Sequence, residues 1–144
     1  METTMNGNTL VIRKDENADD QIKLDYVAVK TAAMTLRAIN HKLRQQIVKL
    51  LEENKRMNVT DIYVKLRLEQ SVASQHLAIL RRANIVITER DGKFIHYALN
   101  HARIANIAHF VQELVNSDTE TKSARRAKAE ATGENAPVAA EATA

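Results

Sequence analysis

The sequence has no cysteine, one proline and three glycines in 144 residues. Without cysteine the chain can form neither a disulfide nor a thiolate metal site, and it has no cysteine nucleophile. Between residues 8 and 132 there is no proline, and Gly92 is the single glycine. A many-stranded barrel or sandwich needs frequent turn signals, and a phosphate-binding loop needs clustered glycines. These absences exclude both and predict a mostly helical middle with one sharp turn at Gly92.

Aromatic residues and long apolar runs are also scarce. The chain has two Phe, three Tyr and no Trp, so the core must be built from aliphatic side chains. No apolar run approaches the roughly 20 residues that a transmembrane helix requires. Residues 1–8 lack the basic and apolar segments of a secretory signal. We therefore expect a cytoplasmic protein with no membrane partner.

The net charge of +3 is unevenly distributed. Residues 41–100 contain eleven Lys or Arg and six Asp or Glu, an excess of +5, whereas residues 1–25 contain three against six. A basic excess of this size is a modest indication of nucleic-acid binding and is also typical of solvated surfaces. A later basic cluster at residues 125–128 favours a solvated tail over a DNA contact.

Composition divides the chain into three parts. Residues 1–20 are polar and acidic and are predicted to be a mobile segment, although residues 10–12 could form a strand. Residues 21–116 carry helical periodicity and form the predicted folded domain. Residues 117–144 are rich in Ala and Glu, have little to bury, and are predicted to be a disordered tail.

The folded domain contains five helical patterns. The first, about residues 21–39, has apolar residues on more than one face, which favours contact with the core on one side and with a partner on the other. Asn40 is a suitable N-cap for the second helix and Asn58 for the third. The fifth, about residues 101–116, carries an apolar stripe that could either close the domain or form a dimer contact.

The fourth helix, about residues 70–83, separates an apolar stripe from a short polar face. The polar face carries Ser71, Ser74, Gln75 and Ala78. Small hydroxyl side chains let a helix approach DNA, and an amide can read base edges through paired hydrogen bonds. The same residues are equally consistent with an ordinary solvated face.

A hairpin is predicted after the fourth helix. Two β-forming runs flank Asp91-Gly92, which is typical of a type I′ turn because that turn needs positive φ at both central residues. Arg90 and Lys93 adjoin the turn and make its tip basic. A basic ribbon beside a polar helix favours binding of DNA phosphates.

Residues 70–80, Gln-Ser-Val-Ala-Ser-Gln-His-Leu-Ala-Ile-Leu, resemble the recognition helix of the ArsR-type family of bacterial transcriptional repressors, which carries Q-S-x-x-S-x-H-L-x-x-L. Residues 36–51 are similar to the start of the family's second helix, and residues 85–97 to its wing. The resemblance covers roughly residues 30–115. It implies a winged helix-turn-helix fold, mainly α with a small β-hairpin, in the order helix–helix–helix–helix–strand–strand–helix.

The resemblance also implies a sequence-specific regulator that binds a palindromic operator in double-stranded DNA as a homodimer. The recognition helix would lie in the major groove, and the wing, residues 85–99, would lie on the backbone or in the minor groove. The implied base contacts are Gln70, Ser71, Ser74 and Gln75. The implied phosphate contacts are Arg90 and Lys93 on the wing, with Lys65, Arg67 and Arg81 as weaker candidates. The implied dimer contacts are Val27, Met34, Ile104, Ile107, Val111 and Leu114. The matching histidine, His76, is interpreted as structural.

The chain departs from the family pattern at several points. Asn84 stands where a glycine usually follows the recognition helix, and asparagine tolerates the left-handed conformation best among other residues. Glu69 stands at the N-cap of that helix, where a short polar residue is expected. No cysteine is available for thiolate sensing, and His101 and His109 are about 12 Å apart along one helix, too far to share one ion within a subunit. Ligands from two subunits could still meet across a dimer. We therefore expect no metal and no other cofactor, and the effector is not identified.

Two other classes of function are alternatives to a DNA-binding regulator. An enzyme has no support, because the sequence contains no glycine-rich loop, metal-ligand cluster or nucleophile elbow. A dimeric winged-helix adaptor without specific DNA binding is the alternative. The polar face of the fourth helix and the basic wing favour the regulator, since an adaptor needs neither.

Overall fold

A computed structural model describes residues 2–13 and 20–133 of the chain. Its strands are β1 (Glu2–Asn6), β2 (Thr9–Arg13), β3 (Gln21–Asp25), β4 (Arg56–Asn58), β5 (Val86–Asp91) and β6 (Phe94–Leu99). Its helices are α1 (Tyr26–Ile39), α2 (Lys42–Asn54), α3 (Val59–Leu66), α4 (Gln70–Arg82) and α5 (His101–Ala131). Among the described residues, those up to His101 form one compact unit and those from Ala102 onward form a second.

The first three strands form an antiparallel sheet that the expected element order lacks. The sheet has the order β1-β2-β3, and β1 and β2 pair from Glu2↔Arg13 to Asn6↔Thr9. The turn between them has Gly7 at a φ of 61°. Gly-Asn between β-forming runs is itself a hairpin signal. The predicted order is therefore wrong at its N-terminal end, while the rest of the segment predicted to be mobile, residues 14–19, lies outside the described residues.

The first helix begins at Tyr26, not at residue 21 as its periodicity predicts. Residues 21–25 alternate apolar and polar side chains, which is the period of a strand. The carboxylate oxygen Oδ1 of Asp25 then accepts a hydrogen bond of 2.9 Å from the backbone N–H of Val27. Because this cap satisfies a free N–H of the first turn, the helix starts directly after Asp25.

The caps of the next two helices differ in how well they are predicted. Asn40 ends α1, and its backbone N–H donates to the carbonyl of Leu36 over 2.9 Å. The N-cap of α2 is instead His41, whose Nδ1 accepts from the N–H of Leu43 over 3.1 Å. The prediction for Asn40 is therefore wrong by one residue. The prediction for Asn58 is confirmed, because its side chain accepts from the third residue of α3 over 2.8 Å.

The core of the first unit is aliphatic, as expected. Its fully buried large side chains come from α2, α3, α4, the start of β5 and the residue before it. They are Ile47, Leu51, Ile62, Leu77, Leu80, Ile85 and Val86. Burying each such side chain contributes about 1.5–3 kcal/mol to folding. Helices α2, α3 and α4 therefore pack on one core, and this packing determines which face of each helix is exposed to solvent.

The wing is a three-stranded sheet in the order β4-β6-β5. The hairpin is confirmed, with Asp91 paired to Phe94 and a two-residue loop of Gly92 and Lys93. Gly92 has a φ of 61°, whereas Lys93 has no positive φ. The prediction of a type I′ turn at Asp91-Gly92 is therefore wrong, because the loop lies one residue later and only its first residue needs positive φ, as in a type II′ turn. Strand β4 was not predicted.

Helix α5 continues to Ala131, well past the predicted end at residue 116. Its second half is rich in Ala, Lys, Arg and Glu, which have high helix propensity. Ion pairs one turn apart join Lys122 Nζ to Asp118 Oδ2 over 2.7 Å and Arg126 Nε to Glu130 Oε1 over 3.1 Å. Residues 117–131 are therefore helical, contrary to the predicted disorder, while residues 134–144 lie outside the described residues.

Residues 2–13 and 20–133 include no helix with the combination of length and apolar character that crossing a membrane requires.

Candidate nucleic-acid interface

The orientation of α4 is fixed by three residues that the core buries completely. Ala73, Leu77 and Leu80 each have 0% of their surface exposed. The residues predicted to contact bases lie on the exposed side, and they are Gln70, Ser71, Ser74 and Gln75. Glu69 is the N-cap and makes no side-chain capping hydrogen bond, in agreement with the predicted weak cap. The polar face is therefore presented to solvent at the first turns of the helix.

A tight turn leads from α3 into α4. Arg67 ends α3 in the left-handed conformation with a φ of 54°, and its backbone N–H donates to the carbonyl of Val64. Its side chain, one of the predicted phosphate contacts, is exposed. Lys65 is also exposed, but its Nζ donates to Oδ1 of Asn54 over 3.2 Å. Lys65 is thus held against the end of α2.

A groove separates the C-terminal half of α4 from the wing. It is lined by Ser74, Ala78, Arg81, Arg82, Asn84 and Tyr97. The structure thus brings together two predicted contacts, Ser74 and Arg81, with two side chains that sequence reasoning missed, Arg82 and Tyr97. Arg82 follows Arg81 directly, and the basic pair could have signalled it. The place of Tyr97 depends on the register of β6 and has no comparable local signal.

Asn84 sets the angle between α4 and the wing. Its φ of 58° confirms the predicted left-handed conformation. The backbone N–H of Asn84 donates to the carbonyl of Arg81 over 3.0 Å, and the N–H of Ile85 donates to that of Leu80 over 3.0 Å. The chain therefore reverses at Asn84 and enters β5 alongside the end of α4.

The acidic side chains of the wing are paired with one arginine. Arg56 of β4 lies 3.5 Å from Glu89 and 3.4 Å from Asp91, through Nη1 and Nη2 respectively. Glu89 and Asp91 share one face of β5, because side chains alternate along a strand. Arg90 therefore points to the opposite face, on the same side as Tyr97. Arg56 was not predicted, and it balances the two acids on the face away from the groove.

The two predicted wing contacts lie at the tip of the hairpin. Arg90 donates from Nε to the carbonyl oxygen of Gly92 over 3.2 Å, which holds its side chain across the turn. Lys93 occupies the second loop position and is exposed. The tip therefore presents two positive charges.

A buried arginine links α1, α2 and α4. Arg44 is 7% exposed and donates to the carbonyls of Ala38 and Arg37 over 2.6 and 2.9 Å. Its Nη1 also lies 3.2 Å from Nδ1 of His76 on α4. Since arginine only donates, His76 accepts through Nδ1 and carries its proton on Nε2. Sequence reasoning missed Arg44, because its partners are mainly backbone carbonyls of another helix.

Burial lowers the pKa of His76 below its ordinary value, and electrostatic interactions with His41 and Arg44 lower it further. The rings of His41 and His76 lie 4.8 Å apart. The neutral imidazole is therefore favoured at this junction, in agreement with a structural role for His76.

The residues implied in a dimer contact fall on two helices, α1 and α5. On α1, Val27 and Met34 are seven residues apart, so they share a face, and they are 55% and 57% exposed. On α5 the set Ile104, Ile107, Val111 and Leu114 follows the three-four spacing of one helical stripe. Within that stripe Ile107 is buried, whereas Val111 and Leu114 are exposed.

The histidines considered for metal binding have acidic partners. His101 Nε2 lies 3.0 Å from Glu52 Oε2, and this hydrogen bond is the main cause that lowers the pKa of Glu52, with Lys55 contributing. His109 Nε2 lies 3.2 Å from Glu113 Oε1. Among residues 2–13 and 20–133, no three or more His, Asp or Glu side chains are grouped so that they could hold a metal ion.

The chain is similar in sequence and structure to known bacterial regulators. The family model described as "Bacterial regulatory protein, arsR family" matches residues 41–88. The transcriptional repressor PagR of Bacillus anthracis is 34% identical over 85 residues, which are 59% of this chain and 85% of PagR. Its crystal structure matches with a TM-score of 0.50 at 32% identity, over 60% of this chain and 98% of that one. The chain belongs to the arsR family of bacterial regulatory proteins, whose members are transcriptional regulators and not enzymes.

Two further relatives extend the comparison. The transcriptional activator HlyU of Vibrio cholerae serotype O1 is 31% identical over 83 residues, 58% of this chain and 76% of HlyU. An ArsR-like transcriptional regulator from Rhodococcus sp. RHA1 has a TM-score of 0.62 at 16% identity, over 72% of this chain and 96% of that one. At that identity the likeness concerns the fold alone. The family match and the similarity to PagR confirm the resemblance of residues 70–80 to the ArsR-type family.

Proposed function

We propose that the chain is a sequence-specific transcriptional repressor that binds a palindromic operator in double-stranded DNA as a homodimer. The observation that carries the proposal is the groove in which Ser74 and Arg81 of α4 face Tyr97 of the wing. This groove joins an exposed polar helix face to a basic hairpin. The arrangement suits a recognition helix in the major groove with a ribbon on the adjoining backbone.

Base recognition is assigned to the first turns of α4. Gln70 and Gln75 carry amides that can form paired hydrogen bonds with adenine edges, and the hydroxyls of Ser71 and Ser74 can bond to either base type. All four side chains are exposed. The buried residues on the other side of α4 fix the direction in which these groups point, which a sequence-reading surface requires.

Phosphate contacts are assigned to the wing and to the C-terminal part of α4. Because Arg56 pairs with the acidic residues on the far face of the wing, Arg90 and Lys93 present positive charge without an adjacent free carboxylate on their own face. Arg81 adds a positive charge inside the groove, and Arg67 adds one at the turn before α4. Such contacts position a protein on DNA but carry little sequence information.

Dimerisation is assigned to the exposed apolar stripes of α1 and α5. Exposed Val27, Met34, Val111 and Leu114 would be covered by a second copy of the chain. A two-fold dimer places its recognition helices in successive major grooves, so we expect half-sites about one helical turn apart. The assignment as a repressor is supported by the similarity to PagR, while the similarity to HlyU, an activator, makes the sign of regulation an outcome to be measured.

The proposal is tested by selecting DNA from a random pool with the purified full chain. We expect enrichment of a palindrome whose half-sites lie about one helical turn apart. Transcription from a promoter that carries the selected sequence should then fall when the protein is added. If no sequence is enriched, and binding at low salt stays at the non-specific level, the chain is an adaptor that kept the fold without specific DNA binding.

A further inference from the structure

A second cavity adjoins the side of α4 that carries Ile79 and Arg82, next to its base-reading face. It has a volume of about 450 Å³ and lies between α1, α2 and α4. Part of its wall is apolar, with Met34, Ile79 and Ala83. A volume of this size falls in the range of small-molecule sites, about 300–1,000 Å³.

The other part of the cavity wall is strongly basic. Arg37, Arg44 and Arg82 line it, and none of the lining residues is acidic. Among the described residues, Arg37 and Arg82 have no carboxylate partner. Arginine stays charged at any physiological pH, and its planar guanidinium matches a carboxylate. Three like charges around one cavity therefore favour an anion within it.

We propose that this cavity binds an organic carboxylate with an apolar tail. The carboxylate would lie against Arg37 and Arg82, since Arg44 already donates to two backbone carbonyls and to His76. The tail would pack on Ile79 and Ala83, because Met34 is assigned to the dimer contact. An inorganic anion would leave this apolar wall uncovered, and a neutral lipid would leave the guanidinium groups unpaired.

One residue connects this cavity to the DNA groove. Arg82 lines both the cavity and the groove that contains Ser74, Arg81 and Tyr97. The Nε of Arg82 donates to the carbonyl of Ala78 over 3.4 Å, which holds this side chain against α4. The guanidinium group of Arg82 lies between the cavity and the groove. A carboxylate that pairs with Arg82 in the cavity removes a positive charge from the groove. The bound carboxylate therefore lowers affinity for DNA, a regulatory effect that rests on the proposed function, whereas the binding itself does not.

Binding is tested first without DNA, by calorimetry on the full chain. The probes are octanoate, 1-octanol, which has the same tail without the charge, and acetate, which has the charge without the tail. We expect saturable octanoate binding and at least roughly tenfold weaker binding of the other two. 1-Octanol loses the hydrogen bonds to a charged group, which are worth about that factor, and acetate loses the burial of the apolar tail. No saturable octanoate binding, or equal binding of 1-octanol, overturns the proposal.

Three arginine variants then separate the cavity from the groove. Arg37→Ala removes a cavity arginine outside the DNA groove, and should weaken octanoate binding roughly tenfold or more while DNA affinity is unchanged. Arg81→Ala, which lies in the groove alone, should show the reverse pattern. Arg82→Ala should weaken both and abolish the effect of octanoate on DNA affinity. Thermal unfolding of each variant verifies folding, and unchanged octanoate binding by folded Arg37→Ala and Arg82→Ala contradicts the assigned site.

The outcomes for the two proposals are distinguishable. If the wild-type chain binds octanoate but no specific DNA, the cavity site stands and the proposed function fails. If it binds specific DNA but not octanoate, the function stands and the cavity site fails. If it binds both and octanoate leaves DNA affinity unchanged, the regulatory role of Arg82 is wrong.

Discussion

The guanidinium of Arg44 donates from Nη1 to Nδ1 of His76 over 3.2 Å, and so connects α2 to the helix assigned to base reading. The same side chain donates to two carbonyls at the end of α1. Three helices therefore meet on one buried arginine. Since helix carbonyls at a C-terminus have no partner within their own helix, Arg44 satisfies groups that would otherwise be buried without hydrogen bonds.

Replacing Arg44 tests the importance of this junction. In Arg44→Met the carbonyls of Arg37 and Ala38 and the ring of His76 lose their donor. Hydrogen bonds to a charged group are worth about 1.5–3 kcal/mol each, and we expect the free energy of unfolding to fall by about 3 kcal/mol. Urea denaturation followed by circular dichroism measures it. Lys42, which is exposed and lies two residues before Arg44 on α2, provides the control. Lys42→Met should change the free energy of unfolding by less than about 0.5 kcal/mol. Equal effects of the two substitutions would show that the junction contributes nothing special.

Acidification should weaken the same junction. Burial and electrostatic interactions with His41 and Arg44 keep the pKa of His76 lower in the folded chain than in the unfolded chain. At pH values between the folded and the unfolded pKa of His76, the folded state therefore binds fewer protons than the unfolded state. This contribution to stability is complete above the unfolded pKa of about 6.5 and is lost as the pH falls below it.

The variant His76→Gln isolates this titration, since its amide oxygen can still accept from Arg44 but does not ionise. Between about pH 7.5 and pH 5.5 we expect the wild-type chain to lose more stability than His76→Gln. Denaturation midpoints at several pH values measure the difference. Parallel curves for the two proteins would assign the pH dependence to other groups.

The wing should contribute through charge alone. Lys93→Ala removes an exposed cation from the hairpin tip, so binding should weaken on all DNA sequences alike. The slope of log affinity against log salt should become shallower by about 1 per subunit. Lys122→Ala is the matched control, because Lys122 is an exposed lysine paired with Asp118 on α5. An unchanged slope for Lys93→Ala would exclude a phosphate contact by the wing.

The apolar stripe of α5 should hold two chains together. Leu114→Asp places a charge in the stripe, and we expect the dimer to dissociate, since an unpaired carboxylate is costly to bury. Gln112→Asp introduces the same charge off the stripe and should leave the dimer intact. Sedimentation equilibrium gives the molar mass of each. A dimeric Leu114→Asp variant would place the contact elsewhere.

The parts of the structure that could be predicted from sequence are those with strong local signals. The four- and three-residue spacing of apolar residues 73, 77 and 80 predicts both the extent and the exposed face of α4. The structure places this helix at Gln70–Arg82. Gly92 and Asn84 were placed correctly, because positive φ restricts which residues can occupy those positions.

The parts that were not predicted depend on partners distant in sequence. Strand β4 is three residues long and exists because Arg56–Asn58 pairs with β6, so it has no periodicity of its own. Arg44 is buried because another helix ends beside it, which the sequence around Arg44 does not indicate. The second half of α5 was interpreted from composition as disordered, although its spacing of opposite charges supports a helix.

The central claim is that the exposed face of α4 reads bases, and Gln75→Ala tests it most directly. The measurement is the affinity of the wild-type chain and of this variant for the selected operator and for a scrambled duplex of equal length, at one salt concentration. If Gln75 contacts a base, the variant loses about 1–3 kcal/mol per half-site on the operator and almost nothing on the scrambled duplex. Equal losses on both duplexes would contradict it.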